Sequence, residues 1–333
     1  MGLTRRAYLL FLGAGALTLA GCAGREEEPS PSSPAPRPPS PTPSPTPSPA
    51  PSPSPTGPVD PLPEGVVNAL IYGTDARGDA DFGGNTDAIV LAQISADRKR
   101  VTFVSIARDT LAQVGGSQTK INAAYSIGGR DLFVKSVSDM FGGIPIHVTM
   151  HTNFAGFISI TRYLKGIRVF NRNASTVTVN ATGRFIEFGE GELFLENTDA
   201  LIYARQRYGL EQGDLDRAER HRALLTGIIA GLQLVQEKTP RLMDALVKNL
   251  AQRCRVSGID DADVPALVAP LMEVDRDRVT SLMLPLEGFS TINGQWVNLP
   301  NRKRLSELSE GLRNGDVSAY VDRYGTDYTP TRG

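Results

Sequence analysis

Seventeen of this chain's 24 prolines fall within residues 29–63, and that run decides how much of the sequence is able to fold. Proline fixes φ and carries no amide donor, so a Pro-Ser/Pro-Thr repeat supports neither a helix nor a sheet ladder. It reads as an extended, polyproline-like spacer rising about 3.1 Å per residue, on the order of 100 Å when taut. Its Ser and Thr hydroxyls are candidate sites for O-linked sugars. Beyond it, residues 66–333 are enough for one large domain or two small ones, with a substantial core.

The segment ahead of the spacer reads as a targeting signal. Arg5 and Arg6 supply its charged region, and residues 7–20 are mostly apolar. That stretch is too short to span about 30 Å of hydrocarbon comfortably. It closes on Leu19-Ala20-Gly21-Cys22, which resembles a bacterial lipobox, where the cysteine thiol receives a diacylglycerol and becomes the new N-terminus. The expectation is a lipoprotein signal peptide over residues 1–22, lipidation at Cys22, and a spacer over residues 23–65. The folded domain would then be anchored to the outer face of the cell membrane and held out toward a wall. Thr4-Arg5-Arg6-Ala7-Tyr8-Leu9-Leu10 also resembles a twin-arginine export signal, and the general secretory route fits as well.

Charge is balanced, 35 basic against 36 acidic residues, which excludes a strongly basic nucleic-acid binder. Cys22 and Cys254 are the two cysteines, so neither a disulfide scaffold nor a four-cysteine zinc site is available. Of the three histidines, His147 and His151 are four apart, but on a strand that spacing separates them by about 13 Å. Cys254 reads as a small core or helix-surface residue.

From residue 66 short apolar runs alternate with helical patterns. Residues 68–72, 88–95, 101–106, 146–150, 167–170 and 279–284 read as strands. Helices are expected over 128–141, opening at Gly128-Gly129-Arg130, and over 154–164, 198–205, 215–236, 241–253 and 262–271. The interleaving predicts an α/β fold: a three-layer α-β-α sandwich around a mixed central sheet, one catalytic domain over residues 66–333 with a C-terminal helical extension.

Residues able to do chemistry gather at strand ends and loop starts. Gly73-Thr74-Asp75-Ala76-Arg77 follows the first strand, Asn85-Thr86-Asp87 precedes the second, and Arg108-Asp109-Thr110 follows the third. Lys120-Ile121-Asn122 and Tyr203-Ala204-Arg205-Gln206-Arg207 come later, and Asp214, Asp216, Arg217, Arg220 and Arg222 open the long helix. Carboxylates among arginines suit a polyphosphate ligand. Mg²⁺ takes one or two carboxylates and leaves room for phosphate oxygens. Guanidinium forks bind phosphate bidentately and stay charged.

Extended to Thr86-Asp87-Ala88-Ile89-Val90-Leu91, Val104-Ser105-Ile106-Ala107-Arg108-Asp109-Thr110, Lys120-Ile121-Asn122-Ala123-Ala124-Tyr125 and Gly213-Asp214-Leu215-Asp216-Arg217-Ala218-Glu219-Arg220, the ordered motifs resemble the LytR-CpsA-Psr family over about residues 66–286. The resemblance implies a cell-wall glycopolymer phosphotransferase. Such enzymes move a glycopolymer, as a sugar-phosphate, from a polyprenyl pyrophosphate carrier to a peptidoglycan hydroxyl and release polyprenyl phosphate. By resemblance Asp75 and Asp87 hold Mg²⁺, Arg108, Arg205, Arg207 and Arg217 clamp phosphate oxygens, and Lys120 adds a weaker contact. The lipid enters an apolar cleft between sheet and helices, and either aspartate serves as base. Two positions depart from the family pattern. Asn85 stands where an arginine is usual, with nearby Arg77 as the compensating cation, and His221 stands where a glutamine is common, keeping hydrogen-bonding ability toward the phosphates. The rival reading is a non-catalytic module that binds a polyprenyl-linked glycan. A DNA-binding regulator, a label members of this family have carried, conflicts with the export signal and the neutral charge.

Overall fold

The computed structural model describes residues 62–74, 82–275 and 278–326; Cys22, most of the spacer, Asp75 and Arg77 lie outside the described residues. The chain opens with strands β1 (Val67–Thr74), β2 (Thr86–Ile94), β3 (Val101–Ser105), β4 (Leu111–Val114) and β5 (Ser117–Lys120), then helix α1 (Ala123–Met140). Next come β6 (Val148–Thr152), α2 (Phe154–Tyr163), β7 (Ile167–Asn171), β8 (Ser175–Val179), β9 (Arg184–Phe188) and β10 (Gly191–Leu195). Helices α3 (Asn197–Arg205), α4 (Asp214–Lys238) and α5 (Arg241–Arg253) lead to β11 (Arg255–Ser257), a 3₁₀ turn (Asp261–Asp263) and α6 (Val264–Glu273). Strands β12 (Val279–Met283), β13 (Leu286–Ile292) and β14 (Gln295–Pro300) and helices α7 (Arg302–Asn314) and α8 (Ser318–Tyr324) complete it.

The central sheet runs β11-β6-β1-β2-β3-β12. β1, β2 and β3 are antiparallel neighbours, while β6 and β12 lie parallel to β1 and β3. The sheet is mixed, as expected. Its middle strands are apolar on both sides because both faces are covered. Leu70, Tyr72, Leu91 and Val104 pack on one side against Phe133 and Val137 of α1 and Leu308 and Leu312 of α7. Val90, Ala92, Val101, Phe103 and Val148 pack on the other side against Ile229 of α4 and Leu267 of α6. Three layers follow from that alternation.

One irregularity matters for function. Gly73 pairs with Ala88 and Thr74 with Thr86, so Asp87 is the extra residue of a β-bulge. A bulge leaves its extra residue out of the ladder and re-aims the side chain.

Several expectations are revised. The helix expected at residues 128–141 begins earlier, at Ala123, and the Gly128-Gly129 pair is a break inside it, with Gly129 at φ +69°. The strand at residues 167–170 does not join the central sheet; β7 pairs with β10 in a separate ribbon against α4. α4 passes close to that ribbon at Gly227, where a Cβ would sit 2.5 Å from the Arg168 carbonyl oxygen. The hairpins β4–β5, β8–β9 and β13–β14 were not foreseen. Among the described residues no helix is long and apolar enough to cross a membrane.

Candidate functional site

Small residues in register open a cleft beneath α4. Ala69 pairs directly with Ala92, and Gly73 with Ala88, so adjacent strands present little beyond Cβ to the helices. The resulting cavity of about 240 Å³ is walled by Ile71, Val90, Phe103 and Met150 of the sheet, Phe154 and Phe157 of α2, Leu224 and Ile228 of α4, and Leu271 of α6. Asn153 caps α2 by accepting a 2.9 Å hydrogen bond from the Gly156 amide, which fixes where the two phenylalanines enter. Polar side chains sit at one end of this apolar trough: Thr74, Asp87, Thr152, Arg205, Arg217 and His221.

At that end lies an ion network. Arg108, just past β3, donates to Asp87 Oδ1 at 2.6 Å. Its Nε lies 3.4 Å from Asp214 Oδ1 and 3.9 Å from Asp109 Oδ1. Asp214 also meets Arg217 at 2.6 Å, and Asp109 meets Lys120 at 3.0 Å. Three carboxylates thus face three cations. Arg205 and Arg207 add two further cations with no carboxylate partner among the described residues. The Arg205 guanidinium lies 4.2 Å above the Phe154 ring, and Arg207 Nη2 donates to Tyr208 Oη at 3.0 Å.

The charge state of this cluster is poised for an anion. Burial works against the Arg108 charge, yet the Asp87 hydrogen bond and the Asp214 and Asp109 charges hold its pKa above the usual arginine value. Burial pulls Arg217 below that value despite Asp214, and burial raises Asp214 despite Arg217 and Arg108. Arg108 Nε and Arg217 Nε are buried without a hydrogen-bond partner. Buried donors left unmade cost free energy. A phosphate oxygen would satisfy them.

A metal meets a sparser donor set. Among the described residues no group of three or more His, Cys, Asp or Glu side chains converges to hold an ion. Asp87 engages Arg108 through one oxygen and is 25% exposed, which leaves its other oxygen available. That fits a hard cation shared with a ligand's phosphates, not an all-protein cage.

The other sequence candidates divide. Lys120 reaches the cluster through Asp109, one shell back from the cleft. His221 lines the cleft, but its Nε2 donates to the Ala204 carbonyl at 2.9 Å. Burial, with Arg217 adding to it, pushes its pKa down to about 4, so it brings no charge at neutral pH and only Nδ1 remains, as an acceptor. Asn85 Oδ1 accepts from Ser126 Oγ at 2.9 Å, tying it to α1. His147 and His151 have separate partners: His147 Nδ1 accepts from the Asn68 amide, while the His151 ring meets Thr74 Oγ1 and Tyr125 Oη. Cys254 is buried, and burial raises its thiol to about 11, the behaviour of an inert core residue.

Sequence reasoning named Asp214 and Arg220 without giving either a role. Asp214 bridges Arg108 and Arg217. Arg220 is buried, donates to Gln206 Oε1, Ser175 Oγ and the Asn173 carbonyl, and lies 4.3 Å from the Tyr203 ring. Gln206, held inward, fixes the backbone between Arg205 and Arg207. The Arg-x-Arg spacing was visible; the buried guanidinium that anchors its middle residue had no signal beyond its place in the motif.

Comparison with known proteins agrees with this fold. A polyisoprenyl-teichoic acid–peptidoglycan teichoic acid transferase, TagU, of Enterococcus faecalis is 33% identical over 165 residues, 49% of this chain and 52% of the relative. The chain therefore spans about half the length of that curated relative. TagU of Bacillus cereus is 31% identical over 251 residues, 74% of this chain and 78% of the relative. The crystal structure of B. subtilis TagV superposes with a TM-score of 0.65 at 24% identity, covering 81% of this chain and 100% of that one, and so shares the fold. The profile of the LytR_cpsA_psr family matches residues 48–314, most of the sequence, and the chain belongs to that family.

Proposed function

We propose that this protein is a glycopolymer phosphotransferase that moves a sugar-phosphate from a polyprenyl pyrophosphate carrier to a peptidoglycan hydroxyl. One observation carries the reading: an apolar cleft of about 240 Å³ ends at Arg205 and Arg217, and there Arg217 Nε and the neighbouring Arg108 Nε are buried without hydrogen-bond partners. A long hydrocarbon with a pyrophosphate head has that shape and polarity. The relatives' names, as teichoic acid transferases acting on peptidoglycan, support the substrate classes.

The chemistry is phosphoryl transfer, so positioning and charge neutralisation supply most of the rate. The polyprenyl chain lies between sheet and α4. Arg108, Arg205, Arg207 and Arg217 hold the pyrophosphate oxygens. The acceptor oxygen forms a bond to the sugar-side phosphorus while the bridging P–O bond breaks. The bridging oxygen leaves on polyprenyl monophosphate, and the acceptor's proton passes to a carboxylate, Asp87 or Asp75. Mg²⁺, held by Asp87 and Asp75 together with the phosphates, would neutralise charge on the leaving pyrophosphate oxygens. Asn85 favours a second reading: its side chain is turned to Ser126, leaving the clamp one cation short of the family pattern and suiting a module that binds without turnover.

The two readings separate in one assay. Purified protein, Mg²⁺, synthetic lipid-linked glycan and peptidoglycan oligomers should yield polyprenyl phosphate only when all are present, and chelation should stop it. Lipid-linked glycan bound tightly with no release would favour the binding module.

A further inference from the structure

The β13–β14 hairpin holds two large rings in solvent. Phe289 is 44% exposed and Trp296 61%. The rings stack, with centroids 5.8 Å apart and planes 18° from parallel. Core packing explains neither, since Leu286 and Val297 are the hairpin's buried apolar residues. Residues 288–301 contain no charged side chain. Thr291, directly opposite Trp296 in the ladder, and Gln295 add neutral hydrogen-bonding groups beside the rings.

This hairpin is hung on the phosphate site. The Asn298 amide donates to the Asp109 carbonyl at 2.9 Å, and Asn298 bridges Thr110 in parallel, two residues after Arg108. Asn298 Nδ2 and Thr110 Oγ1 are both buried without a hydrogen-bond partner. Leu286 packs in the core that contains Tyr72 and Phe133, so the hairpin stands on the α1 side of the sheet. The apolar cleft is on the α4 side.

We propose that the Phe289–Trp296 pair is the platform on which the acceptor glycan strand of peptidoglycan lies. The inference rests on the phosphotransferase reading. Attacking and leaving oxygens lie roughly in line in such a transfer. With the departing lipid phosphate in the cleft, the acceptor oxygen enters from the opposite side of the sheet edge, where the hairpin is. A pyranose ring presents a face of C–H bonds that packs on an aromatic plane, while its hydroxyl and amide groups need neutral partners. An uncharged aromatic strip suits such a sugar strand. The strip's own residues, 288–301, offer a phosphate-bearing donor polymer no cation.

Trp296 is the chain's single tryptophan, so its emission reports on the platform alone. Soluble, uncross-linked peptidoglycan glycan oligomers titrated into the full chain should change that emission saturably, and Phe289→Ala should weaken the response at least about fivefold. In the transfer assay Trp296→Ala should raise acceptor KM by a similar factor, leaving kcat, donor KM and the melting temperature unchanged. Emission that does not move, together with an unchanged acceptor KM, overturns the platform. A rise in donor KM in place of acceptor KM overturns the acceptor assignment. An inactive wild type whose Trp296 emission still saturates upholds the platform and overturns only the phosphotransfer reading.

Discussion

Asp87 and Asp214 are both carboxylates bound to Arg108, and their surroundings give them different work. Asp87 is a bulge residue at the cleft, 25% exposed. Asp214 is 15% exposed and lies between two guanidinium groups, one of them 7% exposed. Removing one partner of a buried pair strands the other charge and costs about 3–5 kcal/mol. Asp214→Ala should therefore lower both melting temperature and turnover. Asp87→Ala should keep the wild-type melting temperature while turnover falls about 10²–10³-fold. Thermal melts beside the transfer assay check the pair, and parallel loss of both in Asp87→Ala would make it structural. The histidines give a pH prediction. Burial sets His151 and His221 at about 4 against an ordinary 6.5, so the unfolded chain binds protons first as pH falls. Stability is full above about 6.5 and falls toward pH 4, by about 1.4 kcal/mol per unit for each ring. His221→Gln, whose amide also donates to the Ala204 carbonyl, should roughly halve that slope in denaturant melts taken across pH. The motif arginines were legible because Arg108 follows a strand and Arg205, Arg207 and Arg217 stand around helix ends, in a fixed order. The neutral state of His221 was not, since a proton's affinity depends on burial that a linear sequence does not display.

At the scale of elements, the cleft comes from pairing. Ala69 and Ala92 are 23 positions apart in sequence and become neighbours only in the β1–β2 register. Ala92 faces the cavity, so Ala92→Leu fills space proposed for the lipid. We expect donor KM to rise at least tenfold, with a melting temperature equal to or above wild type, as substrate titrations and thermal melts would report; a donor KM that stays at the wild-type value would move the lipid elsewhere. Strands β1 and β2 were readable because burial on both faces writes apolar runs such as Ala69-Leu70-Ile71-Tyr72 and Ala88-Ile89-Val90-Leu91-Ala92; β3, β6 and β12 were readable from valine and threonine among apolar residues. The β4–β5 hairpin was not, because Ser117-Gln118-Thr119-Lys120 has no apolar residue to mark a face. α7 was foreseen only as a C-terminal helical extension. Its buried Leu305, Leu308 and Leu312 follow helical spacing that was there to be read.

At the scale of the whole molecule, the sequence separates the folded domain from a predicted lipid anchor by a proline-rich stretch. We propose that Cys22 carries that anchor, which would keep the domain near a membrane-borne donor while the spacer gives it reach toward the wall. Mass spectrometry of the membrane fraction should find a diacylated N-terminal peptide beginning at Cys22; an intact peptide crossing Ala20 to Gly24 would contradict it. In the proposed reaction the bond broken lies between the bridging oxygen and the sugar-side phosphorus. ³¹P NMR of a completed reaction tests it most directly. Polyprenyl monophosphate and a new phosphodiester on peptidoglycan should appear in equal amounts, both lost with Asp87→Ala. Recovery of polyprenyl pyrophosphate, with a phosphate-free glycan on the peptidoglycan, would contradict it.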